Sequence, residues 1–410
     1  MRLLFLSPQL PWPPVSGARL RVYHLLRAAA SAHDVDLLAF SDPEPPAEAL
    51  VRLDALCADV ALVPAPPPRP PLRRLVATVA SPLPDLAERL WSTAMRWRLA
   101  ARLAERPYAA VQASGLEMGR YLLDVRGPRR ILDEFNVEYR LQQSVARADW
   151  RTPASWPGAA YSTVQTAKLK AFEALLCRRA DLVLSVSEPD ARDLRRLAPG
   201  TPVHVVPNGV DTAALPYHDP APDPPPNLLF TGSLDYRPNV DAALWFIHAV
   251  LPALKATVPN VRFFIVGHRP PPPLVEAGKH DTAIAVTGSV PDLQPYWDQA
   301  AVYVLPMRMG GGVRFKALEA LALGLPLVST GFGMQGVQAQ DGTHYLQADS
   351  PRDFATAVVR LLANHDLRVR LARAGRALAE QRLDWRHVEP RLLAAYQALP
   401  GLPLPAEARR

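Results

Sequence analysis

The chain's 410 residues are too many for one ordinary domain and fit two, at roughly 100–200 residues each. It is 49% hydrophobic with no long charge run, and its two cysteines, Cys57 and Cys177, make neither a metal-ligand spacing nor a disulfide framework, so a globular protein in a reducing setting is expected and a zinc module is not. The net charge of +7 points to an anionic partner or to a base-composition bias towards arginine; no nucleic-acid module accompanies the scattered arginines, so nucleic acid is not the expected partner.

The opening MRLLFLSPQLPWPP has an apolar run broken by Ser7 and Pro8, short of the roughly 7–15 residues of a signal-peptide core and without a small-residue cleavage site. It reads as a first buried strand. No charge-free stretch elsewhere approaches the ~20 residues that cross a bilayer, so an integral membrane protein is not expected. RLLFLS, VDLLAF, VALVPA, AAVQAS, RRILDEF, ADLVLSVS and VHVVPN then alternate with helical patterns. Asp34 and Asp36 form a D-x-D, but they stand where a helix gives way to VDLLAF and read as a helix stop and a strand start.

Residues 72–107 set Trp91, Met95, Trp97, Leu99 and Leu103 among Arg89, Arg96, Arg98 and Arg102. Two readings stand: a basic helix lying in a membrane interface, or a helix packing in the first domain's outer layer. LDEFNVEYRL at 132–141 ends a strand and presents Asp133, Glu134, Asn136 and Glu138 at its C-terminal end. The prolines of LPYHDPAPDPPPNLL cannot continue a helix or a central strand, which puts a hinge near 215–227. The proline tracts at 64–71 and 269–273 read instead as stiff surface loops.

NLLFTGS, VRFFIVG, IAVTGS, AVYVLPM and LPLVST form a second series. Short continuous apolar strands separated by helices mean parallel sheets covered on both faces, and two series mean two doubly wound α/β domains, 1–215 and 216–384. In the second, Gly310, Gly311 and Gly312 follow AVYVLPM at the C-terminal end of a parallel strand, where ligands bind in open α/β sheets. Without side chains, they let backbone N–H groups approach an anion such as phosphate. They are expected to open the helix that carries Lys316 and Glu319, three residues apart on one helical face, and a carboxylate on the first turn of such a helix can accept both hydroxyls of a ribose. Neither GxGxxG nor GxxxxGK[ST] is present, so the combination favours a nucleotide diphosphate without a nicotinamide or P-loop fingerprint. His24, His248 and His344 stand apart with no ligand spacing, and no metal site is expected.

LSPQLPWPPVSGARLR, ADLVLSVSE, VVPNGVDTAAL, LLFTGSLDYRPNVDA, VTGSVPD and GGGVRFKALEALALGLPLVST, in that order, resemble the bacterial glycosyltransferases of family 4. The resemblance implies a GT-B fold, two Rossmann-like domains facing across a cleft, and metal-independent, retaining transfer of a sugar from a nucleotide-sugar donor to a hydroxyl acceptor. The nucleotide sugar is then a substrate, and no cofactor is implied. It further implies that Glu319 holds the donor ribose, that Gly310 to Val313 meet the donor sugar and diphosphate, and that Gly17 and Gly232 belong to the donor-binding loops. Two departures matter: Gly311 stands where the family has a first glutamate, and Ser233 where it has an arginine. The diphosphate charge would then fall to Arg237, Arg314 and Lys316 with helix N-terminal amides. GGGVRFK matches a GGG-x-R-x-K variant found among exopolysaccharide sugar transferases.

The first domain is expected to bind a glycan or lipid-linked acceptor, with Glu138 and Asn136 as the candidate catalytic residues, Glu138 orienting an acceptor hydroxyl or contacting the donor sugar, and with Phe135 where relatives often have a histidine. Such acceptors would place the protein in the cytoplasm, in peripheral contact with an anionic membrane. Val388, Leu392, Leu393, Tyr396 and Leu399 make one apolar stripe, so the final helix, 385–399, is expected to return to the first domain, as in the family. Two other functions fit the same residues: a nucleotide-sugar 2-epimerase-like enzyme, and a non-catalytic nucleotide-sugar-binding partner subunit.

Overall fold

The computed structural model describes residues 1–42, 44–150, 153 and 156–399. They form two compact units, Met1–Pro207 with residues 388–399, and Asn208–His387. The division falls at Pro207, ahead of the 215–216 boundary suggested by the prolines. Arginines of the second unit explain the difference. Arg376 donates to the carbonyls of Thr212 (3.0 Å) and Leu215 (2.6 Å), and Arg368 to those of Ala221 (2.9 Å) and Pro222 (2.8 Å), so the proline run is laced onto that unit.

The strands of the first unit are β1 (Arg2–Ser7), β2 (Asp34–Ser41), β3 (Asp59–Pro64), β4 (Ala110–Ser114), β5 (Arg129–Glu134), β6 (Leu182–Ser185) and β7 (Val203–Val205). Those of the second are β8 (Asn227–Thr231), β9 (Arg262–Val266), β10 (Ile284–Gly288), β11 (Val302–Leu305), β12 (Leu327–Ser329) and β13 (Leu346–Gln347). Among the described residues the orders are β3-β2-β1-β4-β5-β6-β7 and β10-β9-β8-β11-β12-β13, and every pairing is parallel. Each sheet therefore reverses its strand order once, beside β1 and beside β8. That is where open parallel sheets leave a crevice for ligands. The strands are apolar without alternation because helices cover both faces; Leu3, Leu4, Phe5 and Leu6 are all buried.

Among the described residues one helical run, Arg237–Thr257, is long and apolar enough by length and composition to span a bilayer, although Asp241 and Lys255 lie within it. Phe246, Val250, Leu251 and Leu254 are buried in the second unit's core, with the Phe246 ring 4.5 Å from that of Phe263. The helix Thr93–Glu105 decides between the two readings of its stripe. Met95 and Leu99 lie in the first unit's core and Arg102 pairs with Asp59, so this helix belongs to the packed outer layer, with Trp97 left exposed.

The helix Trp385–Gln397 gives its first turn to the second unit and the rest to the first. Val388, Leu392, Tyr396 and Leu399 are buried, and the Tyr396 hydroxyl donates to Gln112 Oε1 on β4 at 2.6 Å. Just before it, Asp384 accepts from the backbone N–H groups of Thr212 (3.2 Å) and Arg386 (2.8 Å).

Candidate functional site

In the second unit, loops 232–236 and 306–314 leave the C-terminal ends of β8 and β11 and lead into the helices Arg237–Trp245 and Phe315–Leu323. Gly310 and Gly312 have φ of 129° and 64°, backbone that side chains rarely tolerate, so the loop's path needs glycine there. The helix begins at Phe315, so the glycines form the loop and do not open the helix. Glu319 accordingly lies on the second turn, not the first. Arg314 folds back over the loop, donating to the Gly312 carbonyl with its guanidinium 4.6 Å from the Phe332 ring. Val313 is buried, and its carbonyl accepts from Asn208 Nδ2 at 3.4 Å.

Lys316 joins the two loops. Its Nζ donates to Asn239 Oδ1 at 2.8 Å and lies 4.3 Å from the Phe230 ring, while Asn239 Nδ2 donates to the Ser233 carbonyl at 2.8 Å. A Cβ at Gly232 would stand 2.5 Å from that ammonium, and Gly232 has φ 150°. Gly232 is thus the opening that admits the lysine. Surrounding protein strips water from the ammonium and holds its pKa down at about 7, with Arg314 pushing the same way and Glu319 opposing. Burial raises the Glu319 carboxyl, and Lys316 offsets part of that. Glu319 makes no side-chain hydrogen bond among the described residues. Arg237 is exposed at the first position of its helix.

Gly232→Ala is expected to displace Lys316 and weaken nucleoside diphosphate binding about tenfold or more while the protein stays folded, the effect of losing one charge-assisted hydrogen bond. Titration calorimetry checks it. Unchanged affinity would mean that the ammonium does not face the ligand.

In the first unit, four acidic or amide side chains follow β5, and they do different things. Asp133 is buried in an ion pair with Arg21 at 2.5 Å, and Arg21 Nη1 also donates to the Val206 carbonyl at 2.9 Å. Asp133 therefore braces β5 against the helix Gly17–Ala30 that carries Arg21. Glu134 is buried with neither oxygen hydrogen-bonded, and burial beside Glu173 raises its pKa well above the carboxylate range. Asn136 Nδ2 donates to Glu138 Oε1 at 3.1 Å. Burial raises the Glu138 carboxyl to about 7, Glu117 adds to the rise, and the Asn136 bond opposes it. Glu138 starts the helix Glu138–Trp150, whose first N–H groups are capped by Glu173: Glu138 N donates at 2.9 Å and Tyr139 N at 3.2 Å.

Phe135 packs over Gly115, where an added Cβ would meet the ring at 3.2 Å. Gly17 is the first residue of the helix Gly17–Ala30, not a loop glycine, and Ser16 Oγ caps that helix by accepting from Arg19 N at 3.5 Å. Asp36 of the D-x-D accepts from the Tyr108 hydroxyl at 2.6 Å and from Arg106 at 3.0 Å, inside the first unit. No cluster of three His, Cys, Asp or Glu side chains that could hold a metal ion occurs among the described residues.

Sequence reasoning missed Asn239 and Glu173. The only local signal for Asn239 is an asparagine at the start of a helix, two residues after Arg237. Glu173 has none, because it reaches residue 138 from the middle of another helix, Trp156–Arg179.

Residues 15–214 match the family model described as Glycosyltransferase Family 4, and residues 225–364 the one described as Glycosyl transferases group 1; between them they span most of the chain. An uncharacterized 44.6 kDa protein in the cps region of Klebsiella pneumoniae is 27% identical over 145 residues, which is 34% of this chain and 37% of that protein. The match thus takes in little more than a third of that relative's length. Among solved structures, sucrose-phosphate synthase from Thermosynechococcus elongatus has TM-score 0.70 at 18% identity, covering 97% of this chain and 99% of the other. The Anabaena protein HepE in complex with UDP-glucose has TM-score 0.66 at 13% identity, covering 97% and 100%. At such identities the likeness is one of fold, and the fold is GT-B.

Proposed function

This chain belongs to the family 4 glycosyltransferases, and we propose that it moves a sugar from a nucleotide-sugar donor to a hydroxyl acceptor with retention of the anomeric configuration and without a metal. The observation that carries the donor side is the Lys316 ammonium, seated in the gap left by Gly232 where β8 and β11 end. Together with the N–H groups of the glycine loop, it offers positive charge where a diphosphate leaving group gains negative charge. Arg314 stands on the glycine loop and Arg237 at the first position of the helix that follows the other loop, and Glu319 is assigned to the ribose. HepE, which shares the fold, is known in complex with UDP-glucose. In the first unit, Glu138 held by Asn136 is assigned to the acceptor hydroxyl. The cps-region relative fits a role in exopolysaccharide or other surface-glycan synthesis, with a lipid-linked acceptor met on the cytoplasmic side of the membrane.

Thermal-shift screening with UDP, GDP and ADP tests the donor side first. A ligand at about 100 times its dissociation constant adds roughly 2.7 kcal/mol, a readily measured shift. Glu319→Ala is expected to weaken the preferred diphosphate about tenfold through loss of hydrogen bonds to a charged group. Chelator is expected to change neither binding nor turnover. Slow hydrolysis of the matching nucleotide sugar supports transfer. A new epimer would mean a 2-epimerase-like enzyme, and an unchanged sugar a binding subunit.

A further inference from the structure

The helix Pro71–Ala80 of the first unit is built inside out. Leu72, Leu75, Val76 and Val79 recur at the spacing of one helical face, and they are 73%, 59%, 58% and 87% exposed. The helix is held by its polar side. Thr78, its buried residue, accepts from Gln165 Nε2 at 3.0 Å, and Lys168 Nζ donates to the carbonyls of Thr78 (2.5 Å) and Ser81 (2.6 Å). A surface helix of a globular protein ordinarily turns its apolar stripe inward, because leaving it in water forfeits about 1.5–3 kcal/mol per large side chain. On the neighbouring helix Trp156–Arg179, Val164 is also exposed, at 44%, next to Gln165 and one turn before Lys168, the two residues that hold helix Pro71–Ala80.

The charge around the stripe says what covers it. Arg69, just before the helix, and Arg74, within it, share the single carboxylate of Asp85, at 3.3 and 3.0 Å, while Arg73 is exposed and has no ion-pair partner among the described residues. Three arginines against one aspartate beside four exposed aliphatic side chains suit a surface that is apolar beneath and anionic at its rim. One face of a ten-residue helix, about 15 Å long and about 10 Å across, offers about 150 Å², far short of the roughly 800 Å² per partner that a stable dimer buries, so a second copy is a poorer fit.

We propose that residues 71–80 dock this protein on an anionic lipid bilayer, with Leu72, Leu75, Val76 and Val79 entering the headgroup boundary and Arg73 meeting lipid phosphates. The purpose of such docking rests on the reading of a lipid-linked acceptor, but lipid binding is measured apart from sugar chemistry, so either reading can fail alone.

The test is flotation of the full chain with vesicles of phosphatidylcholine alone and with an equal mixture of phosphatidylcholine and phosphatidylglycerol. The wild-type protein is expected to float with the mixed vesicles. Leu75→Ser with Val79→Ser lowers that affinity about tenfold or more, and Arg73→Gln lowers it on the mixed vesicles only. Because these side chains are exposed, the variants keep the wild-type melting temperature and wild-type nucleotide-sugar hydrolysis. A Val76→Trp reporter shifts its emission to the blue on mixed vesicles. Wild-type protein that stays with the buffer, or a double variant that floats as well as wild type, overturns the proposal. So does a wild-type dimer in gel filtration that the double variant turns into a monomer, which would give the face to a second copy.

Discussion

Lys316→Met weakens binding of the preferred nucleoside diphosphate about a hundredfold and leaves binding of the bare nucleoside nearly unchanged, because the ammonium's charge-assisted hydrogen bonds go to the diphosphate alone. The lysine's proton makes the prediction sharper. In the empty site the ammonium is held down at about 7 by burial, and a bound diphosphate favours its charged form. Affinity for a nucleotide sugar, whose diphosphate does not titrate in this range, therefore falls as pH rises above 7, and binding at pH 8 takes up a proton. Calorimetry in buffers of different ionisation enthalpy reads that uptake directly. Stability moves by the same proton. In the unfolded chain the lysine holds it up to its ordinary value of 10.5, in the folded chain only to about 7. The cost of this lysine to the fold thus grows as pH falls from 10.5 to 7 and is complete below 7. The variant should gain stability relative to wild type across that window and no further below it. A gap independent of pH would mean that the ammonium is well hydrated in the folded protein.

The sheets were legible because buried parallel strands are continuous apolar runs: RLLFLS and NLLFTGS announce β1 and β8 without any partner in view. β13 escaped because two residues, Leu346 and Gln347, carry no pattern. The glycine loop, Lys316 and Glu319 could be found because a strand end, a glycine run and a helix start all lie within one short stretch. What stayed hidden depends on contacts far apart in sequence. Nothing local marks Asn239 as the lysine's acceptor, Glu173 as the cap over Glu138, or Asp133 as the partner of Arg21. The stripe of residues 91–103 stands out by its tryptophans, yet Met95 and Leu99 are core; the exposed face sits two helices earlier, at 71–80, where composition alone looks like any buried amphipathic stripe. Periodicity tells which residues share a face, and only packing tells which way the face turns.

Glu138→Gln is expected to lower kcat/KM for transfer by about 10²–10⁴, without changing nucleotide affinity. The substitution keeps size and hydrogen-bonding capacity towards Asn136, so the loss isolates the carboxylate. Because burial and Glu117 raise this carboxyl to about 7, only its ionised form can accept a proton or hydrogen bond from an acceptor hydroxyl. Wild-type kcat/KM should rise with pH through about 7 on this account, and the rise should vanish in the glutamine variant. Asn136→Ala removes the bond that holds the carboxyl down, and so should move the rise to higher pH. Lys316 acts in the opposite sense, favouring low pH for donor binding. The two groups together give a bell-shaped profile in kcat/KM for the donor, peaking near 7. Saturating donor keeps Lys316 charged, so the basic limb should move up in kcat while the acidic limb stays. An acidic limb that persists in Glu138→Gln would transfer the role to another carboxyl, and a basic limb unmoved by donor would remove Lys316 from the diphosphate.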